Sequence, residues 1–217
     1  MTPTPQLSLG LLLTAAAGCI DAIGFIELGG FYTSFMSGNT TQLGQALSDG
    51  VWPVVQLTTS LVALFLLGAI LGSLLATLGS RWGAAAATAL ALLAVLGTLL
   101  LSASGFPSHQ SMLVLAAAAG AQNAILPSIG SVRLGTTFVT GTLFAAGGDF
   151  ARALRRQAPP WRWAQHLLVW ASLMIGALLG GLGYGVVGIA VLFGPALIYA
   201  GFLVAFLLRR PGTVVTH

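Results

Sequence analysis

The feature that most constrains this chain is a set of long stretches without formal charge. No Asp, Glu, Lys or Arg occurs from Val51 to Ser80, from Trp82 to Val132, or from Trp163 to Leu208. A helix needs about 20 mainly apolar residues to cross the hydrocarbon core of a bilayer. The first stretch fits one tilted crossing, and the other two are long enough for two helices each. Ser104-Gly105-Phe106-Pro107-Ser108 is a natural break in the second, and the glycines from Gly181 to Gly188 break the third. Together with an apolar N-terminal segment, the pattern predicts spans at about 7–30, 53–79, 84–104, 110–130, 163–186 and 189–208. Only 6% of the 217 residues are charged, against about 25% in soluble domains, which excludes an ordinary water-soluble enzyme.

Two further segments, Phe31 to Leu47 and Thr136 to Leu154, are rich in Gly, Ser and Thr and too polar to face lipid. Irregular backbone at membrane depth survives only inside protein or along a wet cavity. Surface loops are the plain reading. The apolar residues interleaved with the polar ones (Phe35, Met36 and Leu43; Phe138, Val139, Leu143 and Phe144) favour re-entrant half-helices. Orientation follows from the arginines. With six crossings and a cytoplasmic N-terminus, Arg81, Arg133, Arg152, Arg155, Arg156, Arg162, Arg209 and Arg210 all fall on one side. An eight-span arrangement would put Arg81 and Arg133 outside. A multi-pass protein of the bacterial inner membrane with both termini cytoplasmic is therefore expected.

Ala16-Ala17-Gly18-Cys19 superficially resembles the end of a lipoprotein signal. However, residues 1–6 hold no Lys or Arg and the apolar run continues past Cys19, so a retained first helix is expected. The single cysteine allows no intrachain disulfide. The net charge of +4 comes from arginines at membrane flanks and is not a nucleic-acid signature.

The two halves resemble one another. Gly18-Cys19-Ile20-Asp21-Ala22-Ile23 aligns with Gly120-Ala121-Gln122-Asn123-Ala124-Ile125. Phe35-Met36-Ser37-Gly38-Asn39-Thr40 aligns with Phe138-Val139-Thr140-Gly141-Thr142-Leu143, and Gly68-Ala69-Ile70-Leu71-Gly72 with Gly176-Ala177-Leu178-Leu179-Gly180. Chance similarity in Gly- and Ala-rich membrane sequence is the alternative. Three spans per half is odd, so successive halves would enter the membrane in opposite directions. The expected fold is an all-α polytopic membrane protein of about six transmembrane helices plus two re-entrant half-helices, an inverted 3+3 repeat. Residues 1–105 and 106–217 would be its two repeats within one membrane domain.

Asp21 lies inside the first apolar helix, where a charge costs about 2.5–3.5 kcal/mol on insertion scales. It reads either as a proton- or cation-coupling carboxylate or as a cap on the Ser37–Thr41 turn, and the two roles are compatible. Asn123 keeps its shape without charge, beside Gln122. Glu27 reads as a solvated helix end or as an attractor at an external mouth. The two Ser/Thr-Gly turns would present free helix N-termini suited to an anion or polar solute. Ser37, Asn39, Thr40, Thr140 and Thr142 supply side-chain partners, Gly38 and Gly141 permit close approach, and Phe35 and Phe138 wall the site. Polarity serving helix packing alone is the competing reading. Arg133, before the second turn, could attract an anion, and Pro127 would kink the fourth span. Gly68-x3-Gly72 and Gly176-x3-Gly180 mark close helix packing, internal or in a homodimer. Arg152, Arg155, Arg156 and Arg162, with Trp161 and Trp163, read as an interfacial anchor or a site for anionic lipid head groups.

On Gly18-x-x-Asp21-Ala22, Met36-Ser37-Gly38-Asn39-Thr40, Gly120-x-Gln122-Asn123 and Val139-Thr140-Gly141-Thr142, the chain resembles the YoaK-like family of bacterial inner-membrane proteins, a domain of unknown function. The resemblance runs from the first helix to about Leu208. Ser37 stands where such proteins often carry Thr, which keeps the hydroxyl. The resemblance implies a small multi-pass membrane protein and supplies no catalytic residue and no substrate.

No metal-type cluster, nucleophile elbow or Walker motif is present in the sequence, and neither an enzyme, a metal, a cofactor nor a nucleic-acid partner is expected. The expected function is a secondary transporter or channel-like permease for a small polar or anionic solute, bound between the two half-helix N-termini with Asp21 as the proton-coupling acid. The alternative is a non-transporting scaffold or accessory subunit. The expected partners are a small polar or anionic solute, membrane lipids and a second copy of the chain in a homodimer.

Overall fold

A computed structural model describes residues 4–78, 80–125 and 139–208. Its helices, in chain order, are α1 (Thr4–Glu27), α2 (Met36–Asp49), α3 (Trp52–Ala76), α4 (Ser80–Ala103), α5 (Ser108–Gln122), α6 (Val139–Leu154), α7 (Arg162–Val187) and α8 (Phe193–Leu208), with a 3-10 turn at Gly188–Leu192. Among the described residues all regular structure is helical. Four stretches are long and apolar enough to cross a membrane: Leu7–Glu27, Trp52–Ala76, Trp82–Ala103 and Arg162–Leu208, the last containing both α7 and α8. α5 has 15 residues, about 22 Å at the usual helical rise, short of a hydrocarbon core of about 30 Å. The far end of the span expected at 110–130, including Pro127, lies outside the described residues.

Local sequence explains where the helices stop. After Glu27 the chain turns through Gly29 and Gly30, at φ 68° and 105°, a left-handed path that residues with a Cβ rarely follow. Pro53 sits in the first turn of α3, where its missing N–H has no helical partner to lose. The glycines inside α7 do not break it. In lipid a helix is the only local way to satisfy the backbone, so α7 runs through Gly181, Gly183 and Gly185 and ends at Gly188, at φ 59°.

Two close seams hold the bundle. α7 lies against α1 so tightly that a Cβ on Gly176 would fall 2.0 Å from the Ala15 carbonyl oxygen, and one on Gly18 would fall 2.2 Å from that of Leu173. α3 meets α5 in the same way: Gly68 would fall 2.1 Å from the Ala117 oxygen and Gly120 2.1 Å from that of Phe65. The pairs 15–176 and 19–180, and the pairs 117–68 and 121–72, rise together, so each seam joins parallel helices. Lipid is as apolar as leucine, so helices gain little from hiding apolar surface from it; approach through small residues, which maximises van der Waals contact, does the work instead. Each seam therefore joins a helix from one half of the sequence to a helix from the other. Phe31 sits beside Val51 and Val54, which places the end of α1 and the start of α3 at one end of the bundle.

The bundle centre is made of Leu13, Ile20, Ile23, Leu61, Met112, Leu115 and Tyr199. Within it Gln122 donates to the Leu13 carbonyl at 2.7 Å and accepts from the Tyr199 hydroxyl, which ties α5, α1 and α8 through a buried polar link.

Candidate functional site

After α1 the chain folds back along it. Asp21 lies six residues before Glu27, about 9 Å of helical rise, yet its Oδ1 accepts hydrogen bonds from the Thr33 N–H at 2.8 Å, the Thr33 hydroxyl at 3.1 Å and the Ser34 N–H at 2.8 Å. Gly24 makes room for this return, since a Cβ there would fall 2.4 Å from the Thr33 methyl. The chain then reverses into α2. Asn39, fully buried, accepts from the Tyr32 N–H at 3.0 Å and donates to the Tyr32 carbonyl at 2.6 Å. Gln42 donates to the Gly30 carbonyl at 3.3 Å. These side chains satisfy a non-helical backbone that lies alongside a membrane helix. Gly38 leaves space for the Phe35 ring, which a Cβ would strike at 2.5 Å. Phe35 meets Tyr32 edge-on at 5.2 Å, and Tyr32 meets Phe25 at 5.1 Å.

Asp21 also faces a cavity of about 420 Å³, lined by Gly18, Ala22, Phe25 and Ile26 from α1, Tyr32 from the return loop, and Leu173 and Ala177 from α7. That volume is in the range of small-molecule sites, about 300–1,000 Å³. Among the described residues no cation pairs with the Asp21 carboxylate; the ion pairs there all belong to Asp149. A half-buried acid, held by the Thr33–Ser34 loop and bordering a cavity, can exchange a proton or meet a guest. A second cavity of about 350 Å³, between α1 and α8, is lined by Leu9, Leu12, Leu197, Gly201 and Phe202 with other apolar residues and offers no comparable side chain.

The other residues singled out in the sequence fall into separate places. Ser37 and Thr40 are exposed on α2, and the Thr40 hydroxyl donates to its own helix at the Met36 carbonyl, 2.7 Å away. On α6, Thr140 and Gly141 are exposed, whereas Thr142 is buried and donates to the Val139 carbonyl at 2.7 Å. α2 packs on α3 and α6 on α7, and these two short helices do not touch one another. The structure thus brings Phe35, Gly38 and Asn39 into the unit around Asp21 and leaves Thr140, Gly141 and Thr142 apart from it. Packing partners decide this: each short helix is the hairpin neighbour of its following long helix. Phe138 and Arg133 lie outside the described residues. Asn123 donates to the Ala119 carbonyl at 3.2 Å at the end of α5. Glu27 accepts from the Tyr184 hydroxyl at 2.6 Å, tying α1 to α7 above the cavity.

One site was not foreseen. Asp149 on α6, 1% exposed, is gripped by Arg152 from its own helix, by Arg162 through Nε at 2.6 Å and by His166 Nε2 at 3.3 Å, both on α7. Hydrogen bonding from Arg162 holds the Asp149 carboxyl well below the usual carboxylate range. His166 is 4% exposed, and its Nδ1 has no hydrogen-bond partner. The signal was legible as the one acid inside an arginine cluster. Among the described residues no group of three or more His, Cys, Asp or Glu comes together in a metal-type arrangement.

Comparison with known proteins agrees with the membrane helices. A protein named UPF0700 transmembrane protein YoaK, from Bacillus subtilis (strain 168), is 31% identical over 153 residues, covering 66% of each chain. Another, UPF0700 transmembrane protein RA0705 from Rhizobium meliloti (strain 1021), is 34% identical over 180 residues, covering 80% of this chain and 75% of that one. The chain thus spans just under two thirds of the Bacillus relative. No solved structure matches. The match at residues 9–206 is to the family described as Protein of unknown function (DUF1275), and this chain belongs to that family of multi-pass bacterial membrane proteins.

Proposed function

We propose that the chain is a secondary permease for a small polar solute, with Asp21 as its ionisable group. The observation that carries this reading is the Asp21 carboxylate: set about 9 Å inside its helix, it has no cation partner among the described residues and borders a cavity of about 420 Å³. Intramembrane acids are costly and mark solute or proton pathways by default. Both the loop return to Asp21 and the paired seams, in which Gly68, Gly72 and Gly120 repeat the roles of Gly176, Gly180 and Gly18, support six crossings with re-entrant half-helices in an inverted 3+3 repeat. Arg152, Arg155, Arg156 and Arg162 gather where α6 meets α7, which supports a cytoplasmic inner face at that end and both termini on that side of the inner membrane. The site lies beside Asp21 rather than between two opposed helix starts. There the Asp21 carboxylate already supplies a negative charge, which favours a polar neutral or cationic solute over an anionic one. Outward leucines on α3 and α7, such as Leu67 and Leu178, face lipid or a second copy of the chain.

A scaffold without transport is the second reading, and one observation favours it: the hydroxyls of Thr40, Thr41 and Thr142 are spent on their own helices. Flux into proteoliposomes across a panel of small solutes separates the two. Solute-dependent flux that falls in Asp21→Asn supports the permease. Absence of flux for every solute, with protein correctly inserted, supports the scaffold.

A further inference from the structure

We infer that the Asp21 cavity takes a small organic ammonium ion. This rests on the permease reading and names its solute class. The geometry gives the guest one anionic anchor and otherwise carbon. Asp21 supplies the carboxylate, Phe25 and Tyr32 supply adjoining aromatic rings 5.1 Å apart, and Ala22, Ile26, Leu173 and Ala177 supply the aliphatic wall. A hydrated metal ion is a poor match, because Mg²⁺ and Ca²⁺ require six or more oxygen ligands and this cavity has one carboxylate with an oxygen already shared among three donors. An alkylammonium head matches both features. Its charge meets the carboxylate and an aromatic face, and its methyl or methylene groups meet the wall. The field at this end of the bundle has the same sign. Glu27, whose only described bond is to a neutral tyrosine, lies on the same helix beyond Asp21. Asp49, hydrogen-bonded to Gln45, closes α2 beside the start of α3. Arg152 and Arg162, by contrast, are committed to Asp149 at the start of α7. A cleft lined by one sign of charge concentrates ions of the other.

The test uses the full chain in proteoliposomes, with Cys19→Ala to remove the native thiol and Ala177→Cys to report on the cavity. Two thiol reagents of similar size are compared, methanethiosulfonates carrying a trimethylammonioethyl or a sulfonatoethyl group, with their rates normalised to those on a free thiol in solution. The expected result is at least a tenfold preference for the cationic reagent, slowing of its reaction by choline, and loss of the preference in Asp21→Asn. Phe25→Leu should weaken protection by choline roughly two- to fivefold. It also keeps the proposal testable if Asp21→Asn fails to insert. Vesicles with and without phosphatidylethanolamine distinguish a free amine from a lipid head group, since only the latter protects without added solute. Rapid labelling with no charge preference would overturn the ammonium proposal and leave a wet solute cavity standing. Labelling by neither reagent would overturn both.

Discussion

Gly176→Ala is the sharpest probe of how the bundle is held together. The added methyl carbon would lie 2.0 Å from the Ala15 oxygen, 2.6 Å from its carbonyl carbon and 2.7 Å from its Cα. All three are backbone atoms, so no rotamer change can relieve the clash. α1 and α7 would have to part by about 1 Å or more along a seam that also carries Gly18 against Leu173 and Gly180 against Cys19. Overpacking of this kind costs about 1–3 kcal/mol, and the better helix propensity of alanine returns up to about 1 kcal/mol. With the full return the net loss is about 0–2 kcal/mol, or a fall of up to roughly 8 °C in Tm for a chain of this size. Gly97→Ala is the control, because nothing lies within 4 Å of a Cβ there. It should leave Tm unchanged or raise it by a few degrees, about 0.5–1 kcal/mol of propensity. Thermal challenge in mild detergent, followed by size-exclusion detection of folded protein, reads both. Gly68→Ala, against Ala117, should cost as much as Gly176→Ala. Equal Tm values for Gly176→Ala and Gly97→Ala would refute the tight-seam argument, and a large difference between Gly68→Ala and Gly176→Ala would refute the correspondence between the seams.

Three other outcomes follow from the contacts. Asp21→Ala strips the acceptor from the Thr33 and Ser34 amides, each worth about 1–3 kcal/mol when left unsatisfied, and should lower Tm more than Asp21→Asn, which keeps an acceptor oxygen. Tyr184→Phe removes the link to Glu27 and should cost about 1 kcal/mol, seen in the same thermal assay. Because Arg162 depresses the Asp149 carboxyl, that cluster contributes its full stabilisation above the unfolded carboxylate value, about 3.9, and loses it as pH falls below about 4 toward the folded value. Tm measured from pH 7 to pH 3 should therefore show an acid limb that is shallower in Asp149→Asn.

The long helices were legible because each requirement for crossing lipid leaves a local mark: an apolar run, a flanking break, arginines beyond it. Their pairing was less so. Gly68-x3-Gly72 and Gly176-x3-Gly180 announced close packing, yet the partners are the equally small Ala117 and Ala121, and Ala15 and Cys19, which alanine-rich helices offer at many positions. The break in the third stretch fell where the sequence placed it, between the spans expected at 163–186 and 189–208: α7 ends at Val187 and the chain turns at Gly188, at φ 59°. Gly181, Gly183 and Gly185 stay inside α7 because a glycine weakens a helix by about 1 kcal/mol, far less than exposing backbone to lipid. At the candidate site, Asp21 was expected to cap the Ser37–Thr41 turn, and its carboxylate instead accepts from Thr33 and Ser34. The return is set by Gly24, Gly29 and Gly30, whose importance depends on how close the chain must come and shows only in three dimensions. The Asp149 cluster escaped because Arg152 and Arg162 had a sufficient explanation as membrane anchors.

In the proposed permease Asp21 would hold the return loop and face the solute with one carboxylate, and the coupling between the two can be measured. Its Oδ1 is the shared acceptor for three donors of the return loop, and a charge-assisted hydrogen bond is about twice as strong as a neutral one. Neutralising the acid, by a proton or by Asp21→Asn, weakens the loop's attachment without removing it, while a cation at the cavity side leaves the charge in place. Loop mobility should thus follow the charge on Asp21. Hydrogen exchange over residues 31–35 should quicken severalfold in Asp21→Asn relative to the native chain, with exchange over the α1–α7 seam unchanged. Equal exchange in the two proteins would mean that the loop is held by Asn39 and Gln42 alone, and that the charge on Asp21 has no route from the cavity to the backbone.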